Sequence, residues 1–346
     1  MSMLPAPQGR HRKTGHHVDL DAAPTQGLSR RDLMKIGSLT VAGAAVGFGP
    51  GLLGPTSASA ATAKFPGHKP GKIYLGVSVD GPLSTTLSRT GPVGLHRTYY
   101  KWADGTRETS NIKADHSAGR LPWISFKPPF TTAGGWAAVA SGKYDADIRA
   151  RARRYAGYAK PVVVTFNHEP HNDKTGTPAD WARAWTRIHD VMKNETGLKN
   201  VISVPIIGDW VFNPVNKKDD PKNYLTQAVL SRCHFLGVDL YQNQSGDDFS
   251  VRLGRTLSWL NSQGHSDKMV GVGETGATDD YRSPTGAQWW QRSWSWAASN
   301  VNRVAAISYF NSQHNNNSGN TWLLWESASK LSAFKSSLSS STATRL

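Results

Sequence analysis

Val162-Val163-Val164-Thr165-Phe166-Asn167-His168-Glu169-Pro170 is an apolar run that stops on a carboxylate. Valines on consecutive positions, with no polar alternation, read as a strand buried on both faces, the habit of a parallel sheet. Val270-Gly271-Val272-Gly273-Glu274-Thr275-Gly276 repeats the form, an apolar strand and then a glutamate. A carboxylate placed directly after a buried strand needs either partners or a task.

Working outward from these two, strands are predicted at 73–79, 94–99, 121–126, 161–166, 201–206, 235–240, 268–273 and 304–310. Helices are predicted at 145–158, 178–194, 248–263, 287–298 and 327–338. Pro178 and Asp180 mark a helix start, and Gly264 marks a helix end. The first two gaps carry little helical signal and read as loops with at most short helices. Eight strands with intervening helices predict one α/β domain, a (β/α)8 TIM barrel over 61–338. An open doubly wound sheet is the alternative, but no glycine-rich phosphate loop follows the first strand to support it. The Ser/Thr-rich tail, 339–346, is expected to fray.

Residues 1–60 read as an address. Ser29-Arg30-Arg31-Asp32-Leu33-Met34-Lys35 resembles a twin-arginine export signal. An apolar segment at 36–53 follows, and small residues end at Ala58-Ser59-Ala60. Five glycines and Pro50 make that segment a poor permanent membrane span. Cleavage is expected after Ala60, with Ala63 as second choice. The implied partner is the twin-arginine translocase, and the implied location is outside a bacterial cell, with no membrane attachment after cleavage.

Removing this leader changes the charge arithmetic. The 346 residues hold 40 Lys+Arg against 25 Asp+Glu, a formal +15. Six of the bases and three of the acids lie in the leader, so 286 residues keep 34 and 22, a net +12. All 13 Trp remain. Cys233 is the sole cysteine, which excludes an internal disulfide and any cysteine-built zinc site. No nucleic-acid motif accompanies the positive charge, so no nucleic-acid partner is expected. Arg149, Arg151, Arg153 and Arg154 read as a solvated helix face. A monomer is expected.

In such a barrel the chemistry lies at the C-terminal strand ends. Glu169 after strand four and Glu274 after strand seven would face each other there. Paired carboxylates at a barrel mouth suit glycoside hydrolysis, where one protonates the leaving oxygen and the other attacks the anomeric carbon or activates water. Burial beside a second negative charge should keep Glu169 protonated at the start.

The arrangement resembles the retaining glycosidase clan of (β/α)8 barrels. His168-Glu169 in particular resembles glycoside hydrolase family 26. Gly142-Lys143-Tyr144-Asp145, Phe235-Leu236-Gly237-Val238-Asp239-Leu240-Tyr241 and Ile307-Ser308-Tyr309-Phe310-Asn311 extend the resemblance over most of 70–330. It implies Glu169 as acid/base and Glu274 as nucleophile, with His168 orienting the site and Tyr241 hydrogen-bonding the nucleophile. It implies a β-linked polysaccharide, of β-mannan or β-glucan type, as substrate, and neither cofactor nor metal. Many members continue His-Glu-Met-Asn-Gly, whereas this chain continues Pro170-His171-Asn172-Asp173.

Sugar C–H faces stack on aromatic rings. Trp102, Trp136, Trp210 and Trp322 lie beyond strands two, three, five and eight and are candidate platforms. Trp181 with Trp185, and Trp290 with Trp294, are four apart and read as packed helix faces. Two rival readings remain. One is a non-catalytic carbohydrate-binding barrel. The other is a metal-dependent polysaccharide deacetylase or hydrolase using His168, His171 and Asp173.

Overall fold

The computed structural model describes residues 63–346, apart from 174, 243–247, 282 and 314–320. The export signal and the Asn315-Asn316-Asn317 stretch lie outside the described residues. The chain runs β1 (Ile73–Val79), α1 (Leu83–Thr90), β2 (Leu95–Tyr100), α2 (Gly105–Ser117), β3 (Leu121–Phe126), α3 (Gly135–Ala140), α4 (Asp145–Ala156) and β4 (Val162–Phe166). It continues through α5 (Pro178–Thr196), β5 (Val201–Ser203), β6 (Ile206–Gly208), α6 (Pro221–Tyr224), α7 (Gln227–Arg232), β7 (Leu236–Asp239) and α8 (Phe249–Ser262). It ends with β8 (Val270–Thr275), α9 (Gly286–Ser299), β9 (Val304–Asn311), α10 (Ala328–Leu338) and β10 (Ala343–Thr344).

The parallel strands run in the order β5-β4-β3-β2-β1-β9-β8-β7-β6. β5 and β6 are two halves of one stave, bent at Val204-Pro205, where proline removes a ladder donor. The Val204 N–H still reaches the Val164 carbonyl at 2.9 Å, and the Gly237 N–H reaches the Pro205 carbonyl at 2.8 Å. The ring is thereby closed, and the fold is an eight-staved (β/α)8 barrel.

Strand parity separates two cores. Val162, Val164, Val270 and Val272 face outward into the layer shared with the helices. Leu95, Trp123, Val163, Ile206 and Phe235 fill the barrel interior. Phe65 plugs the lower end of that interior, with its ring 5.4 Å from Phe235. Trp181, Trp185, Trp290 and Trp294 are all buried on helix faces, as their spacing indicates.

Three expectations are corrected. The second gap holds a full helix, α2. Its inward face is Glu108, Ile112 and Asp115, at positions i, i+4 and i+7. Two of the three are acids, so hydrophobic periodicity could not reveal the helix. Arg151 is not on a solvated face. It is buried, with its Nη2 3.3 Å from Glu108. The tail does not fray. Ala343 and Thr344 pair in parallel with Ile73 and Tyr74, and the Leu346 N–H donates to the Gly119 carbonyl at 2.9 Å. Leu346 also packs on the interior core. Unpaired backbone beside β1 gives even a polar segment a ladder to join.

Deleting residues 343–346 should therefore lower unfolding stability by roughly 1–3 kcal/mol, from lost ladder bonds of about 1 kcal/mol each. Urea denaturation of the full and shortened chains measures this.

Candidate active site

Glu274 should face away from the interior. Gly271 and Gly273 point into the barrel, and strand alternation would send position 274 outward. The ladder is irregular here. Val238 pairs with Val272, but Asp239 pairs with Glu274, so one residue is extra. Such a bulge re-aims a side chain. It turns Glu274 into the mouth, where the residue is only 7% exposed.

Three neighbours meet the Glu274 carboxylate there. The Tyr99 hydroxyl donates to Oε1 at 2.7 Å, and the Tyr241 hydroxyl donates to Oε2 at 2.6 Å. Arg97 Nη2 lies 3.2 Å from Oε1. Burial alone would raise this carboxyl. Arg97 and the two tyrosine donors outweigh burial and hold it below its ordinary value.

Arg97 serves two acids. Its Nη1 donates to Asp239 Oδ1 at 2.9 Å, and both side chains are wholly buried. A Cβ at position 273 would overlap Arg97 Nη1 and lie 2.6 Å from Asp239 Oδ1. Gly273 is thus the only kind of residue that leaves room for the pair.

Glu169 has different surroundings. Its φ of +50° and that of Asn167 at +42° are left-handed, which is uncommon for glutamate. Backbone bonds hold this shape: the Asn167 N–H donates to Phe126 O at 2.9 Å and the Glu169 N–H to Ile206 O at 3.0 Å. The Glu169 carboxyl receives one long bond, from Asn172 Nδ2 to Oε2 at 3.4 Å. Burial, then the negative charge of Glu274, pushes it up to about 7. Asp239, wholly buried, is pushed well above its ordinary value as well, since burial outweighs its contact with Arg97.

His168 lies half-buried with its ring 5.4 Å from that of Tyr99. Burial, reinforced by Arg97, pushes its imidazole down to about 3, so the ring is neutral. Trp322 borders Tyr241, with ring centroids 5.2 Å apart. Trp210 follows β6 at the same barrel end and is 52% exposed. Glu169, Glu274, His168, Tyr241 and Trp322 thus gather at one mouth, with Trp210 at its rim.

Two candidate platforms are elsewhere. Trp136 is 1% exposed inside the helix layer on α3, and no sugar can reach its face. Trp102 packs edge-on against Phe126 and Tyr144 and under Arg151, and its Nε1 donates to Asp147 at 3.0 Å. Both rings are used in packing. The metal reading also fails on geometry. Asp173 accepts from Lys127 at 2.9 Å and from Asn167 at 2.7 Å, and no group of three His, Cys, Asp or Glu among the described residues could hold a metal ion.

Sequence reading missed Arg97 and Tyr99, although a signal existed. They alternate with Leu95 along β2, so period two places all three on one face, and an arginine on a barrel's inner face is a charge awaiting partners. His171, read from the sequence only as a metal-ligand candidate, stands instead beside Glu169. A Cβ on Gly208 would lie 2.8 Å from His171 Nε2 and 2.9 Å from Glu169 Oε1, so the two groups converge on one point.

No family sequence profile matches the chain, and no curated protein matches it in sequence. Solved structures do resemble it in fold. A GH26 β-mannanase from Bacteroides ovatus aligns with a TM-score of 0.57 at 17% identity, over 79% of this chain and 90% of that one. A β-mannanase from a symbiotic protist of the termite Reticulitermes speratus, complexed with gluco-manno-oligosaccharide, aligns at 0.53 and 16%, over 82% and 96%. An endo-β-1,4-glucanase variant from Xanthomonas axonopodis aligns at 0.56 and 13%, over 77% and 98%. At these identities the likeness establishes the barrel.

Two measurements probe the site. Tyr241→Phe removes a donor to the ionised form, so the Glu274 titration should move upward, as followed by NMR of the glutamate side-chain carbons. Trp136→Ala should cost about 3–5 kcal/mol in urea unfolding, whereas Trp210→Ala should stay within about 0.5 kcal/mol.

Proposed function

We propose that the chain is an exported, retaining glycoside hydrolase acting on a β-linked polysaccharide of β-mannan or β-glucan type. The observation that carries this is the opposed state of two mouth glutamates. Glu169 is poised near 7 with one weak donor, and Glu274 is held ionised by Arg97, Tyr99 and Tyr241. Pairs pushed apart in this way divide the acid and nucleophile roles. The mannanase and glucanase likenesses in fold, and the resemblance at His168-Glu169, support the same reading.

In the first step the Glu169 proton moves to the glycosidic oxygen while Glu274 attacks the anomeric carbon. The C–O bond to the leaving sugar breaks, and a glycosyl ester forms on Glu274. In the second step Glu169, now ionised, takes a proton from water. That water attacks the same carbon, and the ester bond breaks with net retention. The Tyr241 and Tyr99 hydroxyls fix the attacking oxygens, and neutral His168 packs beside Tyr99. Trp210, half-exposed at the rim, supplies a stacking face, whereas Trp322 is 5% exposed and backs Tyr241, so it is not the platform its position suggested. Retaining chemistry requires the carboxyl groups about 5–5.5 Å apart. The enzyme acts as a monomer, carried out of a bacterial cell by the twin-arginine translocase, and uses neither cofactor nor metal.

A panel of mannan, glucan, xylan and uronate polymers, assayed for reducing ends and for product anomer, tests this. Release of retained products from a mannan or glucan is expected. Glu274→Ala should lose at least about 10³-fold in kcat with glycan binding kept. A wild-type protein that binds glycan and cleaves none would favour the non-catalytic barrel. The pH profile has a definite sign. Glu169 must be protonated in the first step, so kcat/KM should fall as pH rises through about 7. It should also fall on the acid side when Glu274 takes a proton.

A further inference from the structure

A cavity of about 470 Å³ opens at the other end of the barrel, below staves five, six and seven. It lies about a strand's length from the glutamates. Lys64, Lys193, Arg232 and Lys268 line it beside a single carboxylate, Asp267. Arg232 pairs with Asp190 at 2.8 Å. The Lys64 and Lys268 ammonium groups donate instead to the carbonyls of Asp267 and Cys233, at 2.6 and 2.7 Å. Carbonyls carry no net charge. Lys64, Lys193 and Lys268 therefore have no carboxylate within ion-pair distance among the described residues.

Two histidines complete the wall. His234 Nδ1 accepts from the Ser203 backbone N–H at 3.0 Å. Its neutral ring must then carry the proton on Nε2, which makes that atom a donor. His189 is 6% exposed and stacks on Trp185 at 5.9 Å. Its Nδ1 is buried with no partner among the described residues. A buried polar atom left unpaired calls for a partner. Burial pushes both rings down to about 4, so they add hydrogen-bonding capacity without adding charge.

We propose that this cavity is a second, non-catalytic glycan site that takes one acidic sugar unit through its carboxylate or phosphate oxyanion. Its size lies in the range of small-ligand sites, which begins at about 300 Å³. The lysines supply attraction and the histidines supply direction. Neutral sugar is processed at the mouth while acidic polymer is gripped at the base, so the enzyme can stay on a charged matrix as it cuts. The anion site stands on its own lining, since no residue of the mouth contributes to it, while the choice of an acidic sugar as its ligand rests on the proposed glycosidase reading.

Calorimetric titration of the full chain in low salt, with inorganic phosphate, galacturonate and uncharged galactose, tests the proposal. Saturable millimolar binding of an anion, and none of galactose, is expected. Phosphate alone or galacturonate alone identifies which oxyanion the site prefers. Lys193→Glu, an exposed helix position where folding is retained, should weaken binding at least tenfold, and Lys64→Glu should act alike. Glu274→Gln should leave binding unchanged. Absence of saturation, equal binding of galactose, or indifference to both lysine reversals overturns it. Loss of binding in Glu274→Gln overturns it too, by assigning the anion to the mouth.

Discussion

The mouth of this barrel depends on one guanidinium. Arg97 is buried between Asp239 and Glu274, with its charged carbon over the rings of Tyr99 and Trp123 at 5.1 and 5.6 Å. Every neighbouring feature accommodates it. Gly273 gives it space, the bulge on β8 brings Glu274 to it, and Tyr99 arrives from the same strand two residues on. A buried charge pair is a weak source of net stability, because desolvation offsets most of the attraction. What Arg97 provides is a fixed charge at a fixed place. Without it, the Glu274 carboxyl would lose the largest influence that opposes its burial and keeps it ionised.

The same device recurs elsewhere in the barrel. Glu108 on α2 meets Arg151 on α4 and accepts from the Tyr155 hydroxyl at 2.8 Å. Asp115 meets His96 and Arg120 at 3.0 and 2.7 Å. Arg252 on α8 holds Asp209, at the turn after β6, and also donates to the Tyr241 carbonyl. Lys330 on α10 reaches Glu326 and the Ala277 carbonyl beyond β8. The last two clamps act on the loops that carry Trp210, Tyr241 and the segment after Glu274. Satisfied polar networks of this sort specify one arrangement more than they add stability.

These buried charges also explain what could and could not be read from the sequence. All eight staves were legible because parallel strands are apolar on both faces, and the late helices were legible from apolar periodicity and caps. Thr177 with Asp180, and Thr285 with Gln288, form full capping boxes at α5 and α9. Where a helix buries charge, the period disappears. α2 presents Glu108 and Asp115 inward, and α4 presents Arg151, so one was read as a loop and the other as a wet face. At the site, Glu169 and Glu274 stood out as acids ending apolar strands. Arg97 did not, since its meaning lies in Asp239 and Glu274, far along the chain on other strands. Trp136 and Trp102 were misassigned for the converse reason. A tryptophan just past a strand end can face the cleft or the helix layer, and composition does not distinguish them.

The two glutamates differ through donor count more than through burial. Glu274 is the more buried, yet it is the one held ionised, because the Arg97 charge and two tyrosine hydroxyls converge on it. Glu169 is pushed upward by its own burial and then by the negative charge of Glu274, with only Asn172 donating to it against that rise. Left-handed glutamate is strained, and strain held by neighbouring backbone bonds is a mark of positions under functional constraint. The same turn sets the path of the next residues. With Pro170 locked in φ, His171 is delivered to the point beside Gly208 where Glu169 also arrives. The Pro170-His171-Asn172-Asp173 segment therefore shapes the wall beside Glu169 and leaves the Arg97-centred pocket of Glu274 untouched. Under the proposed roles, differences in substrate should accordingly arise beside Glu169, where His171 and Trp210 stand, and not at Glu274.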